Sequence, residues 1–368
     1  MKYVDLIDVS TIAYEAVHGI CGYKGKNLPA HKVGRFLEDD EDKAKFLSVF
    51  HSKMIGYASC VKSSSEAVLV VFDTFQNKSE RFNILPTYKS DRDANKGAFN
   101  QSHFKKCLIL YKTMLHEAGV FTVEVDRLEA DDIIAHICIN RGEKNIRINS
   151  RDSDLLQLLD ANKFSNVVFF NPLSEKAYVH KDFNDKPEKT GSAMEDFFGD
   201  ITTPEVDSWA KVIEKIDPAK MLLEKVITGD KTDTIPACVW YTKGVTRMNI
   251  SDKRVEQALE SYDGDIPENF DWDFVDKKFM CHLNEAVKTK KEPLILKSGN
   301  EEFKTAFEAN MKMIKLDGSI IHDFAKTMLN ELLEKIKAST DGIDKSVFDN
   351  FAKIETTGER FVQWAEQI

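Results

Sequence analysis

The sequence predicts an α/β protein with a mostly parallel central sheet flanked by helices, followed by a helical lobe. Three observations predict it. Short β-branched runs recur in the first half, longer helical patterns separate them, and the alternation stops near residue 204. Tyr3–Asp8 (YVDLID), Ala67–Asp73 (AVLVVFD), Val120–Val125 (VFTVEV) and Asn145–Asn149 (NIRIN) read as strands. The stretches between them are long enough for helical crossovers, which is what parallel pairing requires. The polar, Gly- and Pro-bearing run Asn184–Thr203 reads as a joint. Beyond it, Asp252–Tyr262, Asp273–Val287, Glu302–Ile314 and Ile320–Ile336 carry helical patterns. The expected organisation is a core over residues 1–203, a helical lobe over 204–337 and a C-terminal helical extension over 338–368, which ends in FVQWAEQI.

At 368 residues, 42% hydrophobic and 30% charged, the chain can bury an ordinary core. No run approaches the roughly 18 apolar residues of a membrane span, and MKYVDLIDVS enters strand pattern without a signal-peptide core. A cytoplasmic monomer without a membrane partner is expected. The six cysteines are widely spaced and form no CxxC pair, so a zinc site and a disulfide framework are both disfavoured. Lys and Arg total 51 against 61 Asp and Glu, a net charge of −10. Taken whole, that balance argues against a phosphate-backbone binder, which draws on clustered Lys and Arg.

The distribution of charge reverses the argument. Asp8, Asp73 and Asp152 fall at or just beyond strand ends, and open α/β sheets place their sites outside those carboxyl ends. Five short motifs collect nine acids: LID with Asp8, VFD with Asp73, EADD with Glu129, Asp131 and Asp132, SRDSD with Asp152 and Asp154, and GDKTD with Asp230 and Asp233. Singly, each is explained by helix capping or turn formation. Gathered at one sheet edge they repel one another unless cations neutralise them. A carboxylate set without His or Cys suits Mg²⁺ or Mn²⁺ better than zinc, and nine acids suit two ions. Such a pair can activate water and stabilise the leaving oxygen of a phosphodiester. Setting the nine acids aside leaves the rest of the chain near neutral. The segment Thr74–Lys112 is basic, with eight Lys or Arg against three acids.

Five segments, LIDVS, VVFDTF with RFNILPTYKSDR, LEADDIIAHI, INSRDSDLLQLL and ITGDKTDTIPA, occur in the order and approximate spacing of the flap endonuclease and 5′-3′ exonuclease family. The sequence resembles most the bacteriophage ribonuclease H branch, over roughly residues 1–335. The resemblance implies a PIN-like nuclease core, and that residues 74–112 form a helical arch over the active site. It also implies that Asp8, Asp73, Glu129, Asp131 and Asp152 surround one Mg²⁺, with Asp132 nearby, while Asp154, Asp230 and Asp233 surround a second. Lys89 and Arg81 would hold the scissile phosphate, with Arg92 and Lys96 on the same strand and Tyr88 stacked on a base. After GDKTD the family carries a Gly-rich hairpin. This sequence instead has IPACVWYTKGVTRMN with the single Gly244, in which Lys243 and Arg247, with the preceding Lys231, would meet duplex phosphates. The implied partners are DNA with a 5′ end or flap, RNA-DNA hybrids and a replication protein such as a single-stranded-DNA-binding protein. Two other readings remain. One is a PIN-like single-strand ribonuclease, and the other a non-catalytic replication protein.

Overall fold

Strand β1 (Tyr3–Asp8) is buried along its whole length. It lies between β2 (Ser65–Val71) and β4 (Ile146–Asn149), parallel to both. Covered on both faces, such strands read as continuous apolar runs rather than alternating ones. The computed structural model describes residues 2–22, 25–61, 64–75, 77–90, 98–161, 165–183, 210–243, 246–287 and 299–338. Its main sheet has the order β3-β2-β1-β4-β6-β7-β8. Here β3 is Thr122–Val123, β6 is Asn166–Asn171, β7 is Lys176–His180 and β8 is Val212–Ile216. The first five in that order are mutually parallel, while β7 runs antiparallel to β6 and β8 parallel to β7. A short β5 (Asp160–Ala161) pairs antiparallel with β6.

The chain builds outward from β1 through β2 to β3, then returns to place β4 on the other side of β1. The reversal is a topological switch point, and the carboxyl ends of β1 and β4 flank the crevice that ligands use in such sheets. A buried ion pair fixes the register there. Asp5 and Arg147 are direct partners across β1 and β4, and the guanidinium donates from Nε and Nη2 to the two carboxylate oxygens at 2.6 and 2.9 Å. Asn149 adds a bond to Asp5 at 2.9 Å. Slipping one residue would strand two buried charges, a penalty of several kcal/mol.

Helices α1 (Val9–Cys21), α2 (Asp40–Val61) and α4 (Gln101–Glu117) carry the first core, where Ile12, Phe46, Phe50, Tyr111 and Leu115 pack with Val70. The short α3 (Arg81–Ile84) precedes α4, and α5 (Ala130–Ile139) follows β3. Four of the six cysteines are buried, as expected of small apolar fillers, while Cys60 and Cys281 are exposed.

The chain divides into two compact units, one from the described parts of residues 1–77, 96–216 and 321–368, the other from those of 78–95 and 217–320. The second unit contains α6 (Pro218–Thr228), the antiparallel ribbon β9 (Trp240–Lys243) and β10 (Thr246–Asn249), and α7 (Asp252–Ser261). A helical run follows from α8 (Trp272–Phe274) through a π turn (Val275–Phe279) into α9 (Met280–Val287), and then α10 (Glu301–Ile314). Leu223, Val226, Val239, Val255, Phe279 and Phe307 form its core.

These units differ from the expected division at 203 and 204 in three places. Strand β8 extends the first sheet, because Val212–Ile216 pairs along β7. Helix α11 (Asp323–Ala338) returns to the first unit, where His136 of α5 meets Asn330 at 2.9 Å. Residues 78–90 belong with the second unit, because Tyr88 is buried in its core. The lobe is also not wholly helical, since β9 and β10 pair within it. The expected joint 184–203 lies outside the described residues, as does the expected extension 338–368 except for Ala338, the last residue of α11.

Candidate active site

Asp8 ends β1 and caps α1, where its carboxylate accepts from the Ser10 amide at 3.1 Å. It also accepts from the Thr11 hydroxyl and, at 2.7 Å, from Ser150 Oγ. Two residues beyond β2, Asp73 accepts from Ser10 Oγ at 2.5 Å and from the Ala130 amide in the first turn of α5 at 2.8 Å. Asp152 follows β4 and opens a 3₁₀ turn, accepting from the Asp154 amide at 2.9 Å. Glu129 and Asp132 form a reciprocal capping box on α5, which places Asp131 in the same first turn. The hydroxyls of Ser10, Thr11 and Ser150 were not among the residues singled out from sequence. Their signal was there in the polar residues directly after each strand.

The three strand-end acids feel one another. Burial pushes Asp8 up to about 6, and the charges of Asp73 and Asp152 push the same way against the hydrogen bonds from Thr11 and Ser150. Among the described residues neither Asp8 nor Asp73 has a Lys or Arg at ion-pair distance, and no three His, Cys, Asp or Glu side chains are grouped closely enough to hold a metal ion. The donor set here is all oxygen and short of positive charge. That chemistry fits a hard divalent cation.

Asp230 and Asp233 belong to the second unit and are held differently. Helix α6 ends at Gly229, whose φ of 72° and contact with the Ile235 and Pro236 carbonyls leave no room for a Cβ. The main chains of Asp230 and Ile235 then bond both ways, at 2.9 and 2.7 Å. The Asp230 carboxylate caps the turn through the Thr232 and Asp233 amides, at 2.7 and 3.2 Å. Its other oxygen pairs with Lys225 at 2.9 Å. Burial works to raise Asp230, but the bond and charge of Lys225 and the two amides hold it below the usual carboxylate range. Asp233 accepts from the Tyr88 hydroxyl at 2.8 Å, and its carbonyl accepts from the Lys89 amide at 2.9 Å.

Two expectations are corrected here. Tyr88 was expected to stack on a base, but its ring is 2% exposed, in edge contact with Phe82 and packed in the second core. Arg81 was expected on the scissile phosphate, but it is 4% exposed and its Nε donates to the Met313 carbonyl at 3.1 Å. Both are amphipathic side chains whose apolar bodies were worth burying. Lys89 remains at the surface edge of this cluster, in a left-handed conformation (φ 56°) with Nζ 4.8 Å from the Tyr88 ring. Lys231 is exposed, and Arg247 stacks on Trp240. Arg92, Lys96, Gly244 and the Lys243 side chain lie outside the described residues.

A mostly parallel sheet whose switch point is lined with carboxylates defines a class of α/β proteins with an acidic crevice at the carboxyl ends of their strands. Residues 5–187 match the family described as the 5′-3′ exonuclease, N-terminal resolvase-like domain. The chain is 31% identical over 273 residues to a 5′-3′ exonuclease of Aquifex aeolicus (strain VF5), spanning 72% of this chain and 74% of that protein. It belongs to the 5′-3′ exonuclease family, whose members are nucleases that hydrolyse phosphodiester bonds. Its fold is shared with bacteriophage T5 5′-exonuclease carrying zinc ions, at a TM-score of 0.54 and 14% identity over 91% of this chain and 99% of that one. The T5 D15 flap endonuclease in complex with DNA and metal ions aligns at 0.50 and 17% over 100% of both chains. Among the described residues no helix is long and apolar enough to cross a membrane.

Proposed function

We propose that this chain is a divalent-metal-dependent, structure-selective 5′ nuclease that removes 5′ ends, flaps or RNA primers from DNA inside the cell, as a monomer working beside other replication proteins. One observation carries the reading. Three strand-end carboxylates face each other at the switch point, with Asp8 raised to about 6 and no basic partner on Asp8 or Asp73 among the described residues.

Asp8, Asp73, Glu129, Asp131 and Asp152 would hold one Mg²⁺, with Asp132 beside them, and Asp154, Asp230 and Asp233 a second, with Mn²⁺ able to substitute. Bound there, the two ions supply Lewis acidity toward water and toward the leaving 3′ oxygen. The protein's own part is orientation. Ser10, Thr11 and Ser150 aim the carboxylates of Asp8 and Asp73, as outer-shell donors do at ligating acids. Lys89 contacts the scissile phosphate and offsets charge that grows in the transition state. Lys231, Lys243, Arg247, Arg92 and Lys96 hold flanking phosphates. The products are a 5′-phosphate and a 3′-hydroxyl.

The test is hydrolysis of flapped DNA and of nicked RNA-DNA duplexes with Mg²⁺, beside unstructured RNA. Expected is cleavage of the structured substrates, with a loss on the order of 10³-fold in Asp152→Asn. Wild-type protein as inert as that variant overturns the reading, and preference for unstructured RNA replaces it with a single-strand ribonuclease.

A further inference from the structure

Beside the acidic edge lies a second polar cluster, all of it in the first unit: Glu15 on α1, Lys53 and Tyr57 on α2, and Arg151 between Ser150 and Asp152. Glu15 is its hub. The Glu15 side chain is 12% exposed and pairs with Lys53 through one carboxylate oxygen. The other oxygen accepts from the Tyr57 hydroxyl at 3.3 Å and stands 3.5 Å from Arg151 Nη1. This cluster is close to the acids. Thr11, which donates to Asp8, precedes Glu15 by one turn of α1, a rise of about 6 Å. Ser150, which also donates to Asp8, is the chain neighbour of Arg151. The Tyr57 phenol feels both sides: burial and then Glu15 push it up, Arg151 works against them, and Asp8 adds to them.

Arg151 is the least committed member. Lys53 already neutralises Glu15, which leaves that carboxylate little to offer a second cation. The contact to Arg151 is long, and among the described residues its guanidinium donates no hydrogen bond. Its side chain is 38% exposed, so the pair contributes little. Five N–H donors therefore stand ready for another acceptor at the rim of the site. The planar fork matches two oxygens of one phosphate. Its place also suits a strand of nucleic acid, because about 6 Å along α1 corresponds to about two nucleotides at roughly 3.4 Å each.

We propose that Arg151 is a further substrate contact, and that its guanidinium takes a backbone phosphate of the bound strand one or two nucleotides from the phosphate that faces Asp8. The inference deepens the nuclease reading and rests on it for the identity of the ligand as nucleic acid. Phosphate contacts set the register of a strand rather than read its bases. Arg151 thus helps to fix which phosphodiester lies over the acids, and it does so from the first unit, on the chain segment that carries Asp152 and Asp154.

The experiment is a protein–substrate cycle read by binding alone. The full chain as wild type, Arg151→Ala and Arg151→Lys is titrated by fluorescence anisotropy against flapped DNA, with Ca²⁺ as the hard cation for the oxygen ligands. Each DNA carries one uncharged methylphosphonate, moved in turn through the phosphates within about three nucleotides of the flap junction. Arg151→Ala is expected to weaken binding of unmodified DNA about tenfold. At one position the methylphosphonate costs the wild type about tenfold and costs Arg151→Ala nothing further, the mark of a shared contact. Arg151→Lys keeps the charge but not the fork and recovers part of the loss. Unchanged affinity in Arg151→Ala overturns the proposal. So do losses that multiply at every position, since a merely structural role acts on all phosphates alike. Wild type that shows the coupled position yet leaves the same DNA uncut in Mg²⁺ would instead sink the nuclease reading and leave the contact standing.

Discussion

At the sheet edge, Asp8 and Asp73 accept hydrogen bonds from hydroxyls and main-chain amides and meet no basic side chain among the described residues. In the loop after Thr228, Asp230 rests on Lys225 and Asp233 on Tyr88. Two acidic motifs of similar sequence character thus sit in opposite electrostatic states. Asp8 is raised to about 6 by burial and by its acidic neighbours. Asp230 is lowered by Lys225 and two amides despite its burial. The first group is a set of like charges held at close quarters by neutral donors. The second is internally compensated and shapes a loop. A divalent cation would therefore gain most from the first, and it would have to compete with Lys225 in the second.

The largest expected difference between the two groups is in how stability responds to pH. Asp8 has a folded pKa of about 6 against an ordinary value of 3.8, so the folded protein holds its proton more tightly. The stabilisation is full below the ordinary value and is lost as pH rises through about 6, amounting to about 3 kcal/mol in the metal-free state. Denaturant unfolding in EDTA at pH 4 and pH 7 should show Asp8→Asn gaining on wild type at the higher pH. A pH-independent difference between the two would break the contrast. The next effect is expected in the compensated loop. Asp230→Ala removes the cap for two amides and the ion pair with Lys225, at a cost of about 2 kcal/mol in unfolding free energy at pH 7. If Asp230→Ala were instead stabilising, the loop would be another repulsive cluster. The smallest is Tyr88→Phe, which deletes one hydrogen bond to Asp233 and keeps the buried ring, at about 1 kcal/mol by thermal unfolding. A much larger loss would mean that the Lys89 backbone conformation depends on that phenol.

Much of this could be read along the chain because it depends on local pattern. YVDLID becomes β1 residue for residue, and Asp8, Asp73 and Asp152 fall at the carboxyl ends of neighbouring parallel strands. The helix opening at Glu129 follows from its capping box. What escaped depends on long-range pairing. The run NVVFF forms β6, yet its partners β4 and β7 decide that it is central. Helix α11 has the same amphipathic pattern whichever unit it joins, and its contacts with the first unit, His136–Asn330 among them, assign it. Arg81 and Tyr88 look like surface groups in a basic stretch, and their burial is set by Met313 and Asp233, more than 140 positions away. The placement of each candidate ligand about an ion is in the same category, because a ligand sphere is a property of converging side chains rather than of spacing.

The return of α11 to the first unit has a consequence for how the protein is made. Residues 217–320 make up most of the second unit, and His136, on the helix that also carries Asp131 and Asp132, meets Asn330 across a separation of 194 positions. During synthesis, the sheet and its acids leave the ribosome long before that last helical partner exists. The first unit therefore reaches its final packing only after the second unit has been translated.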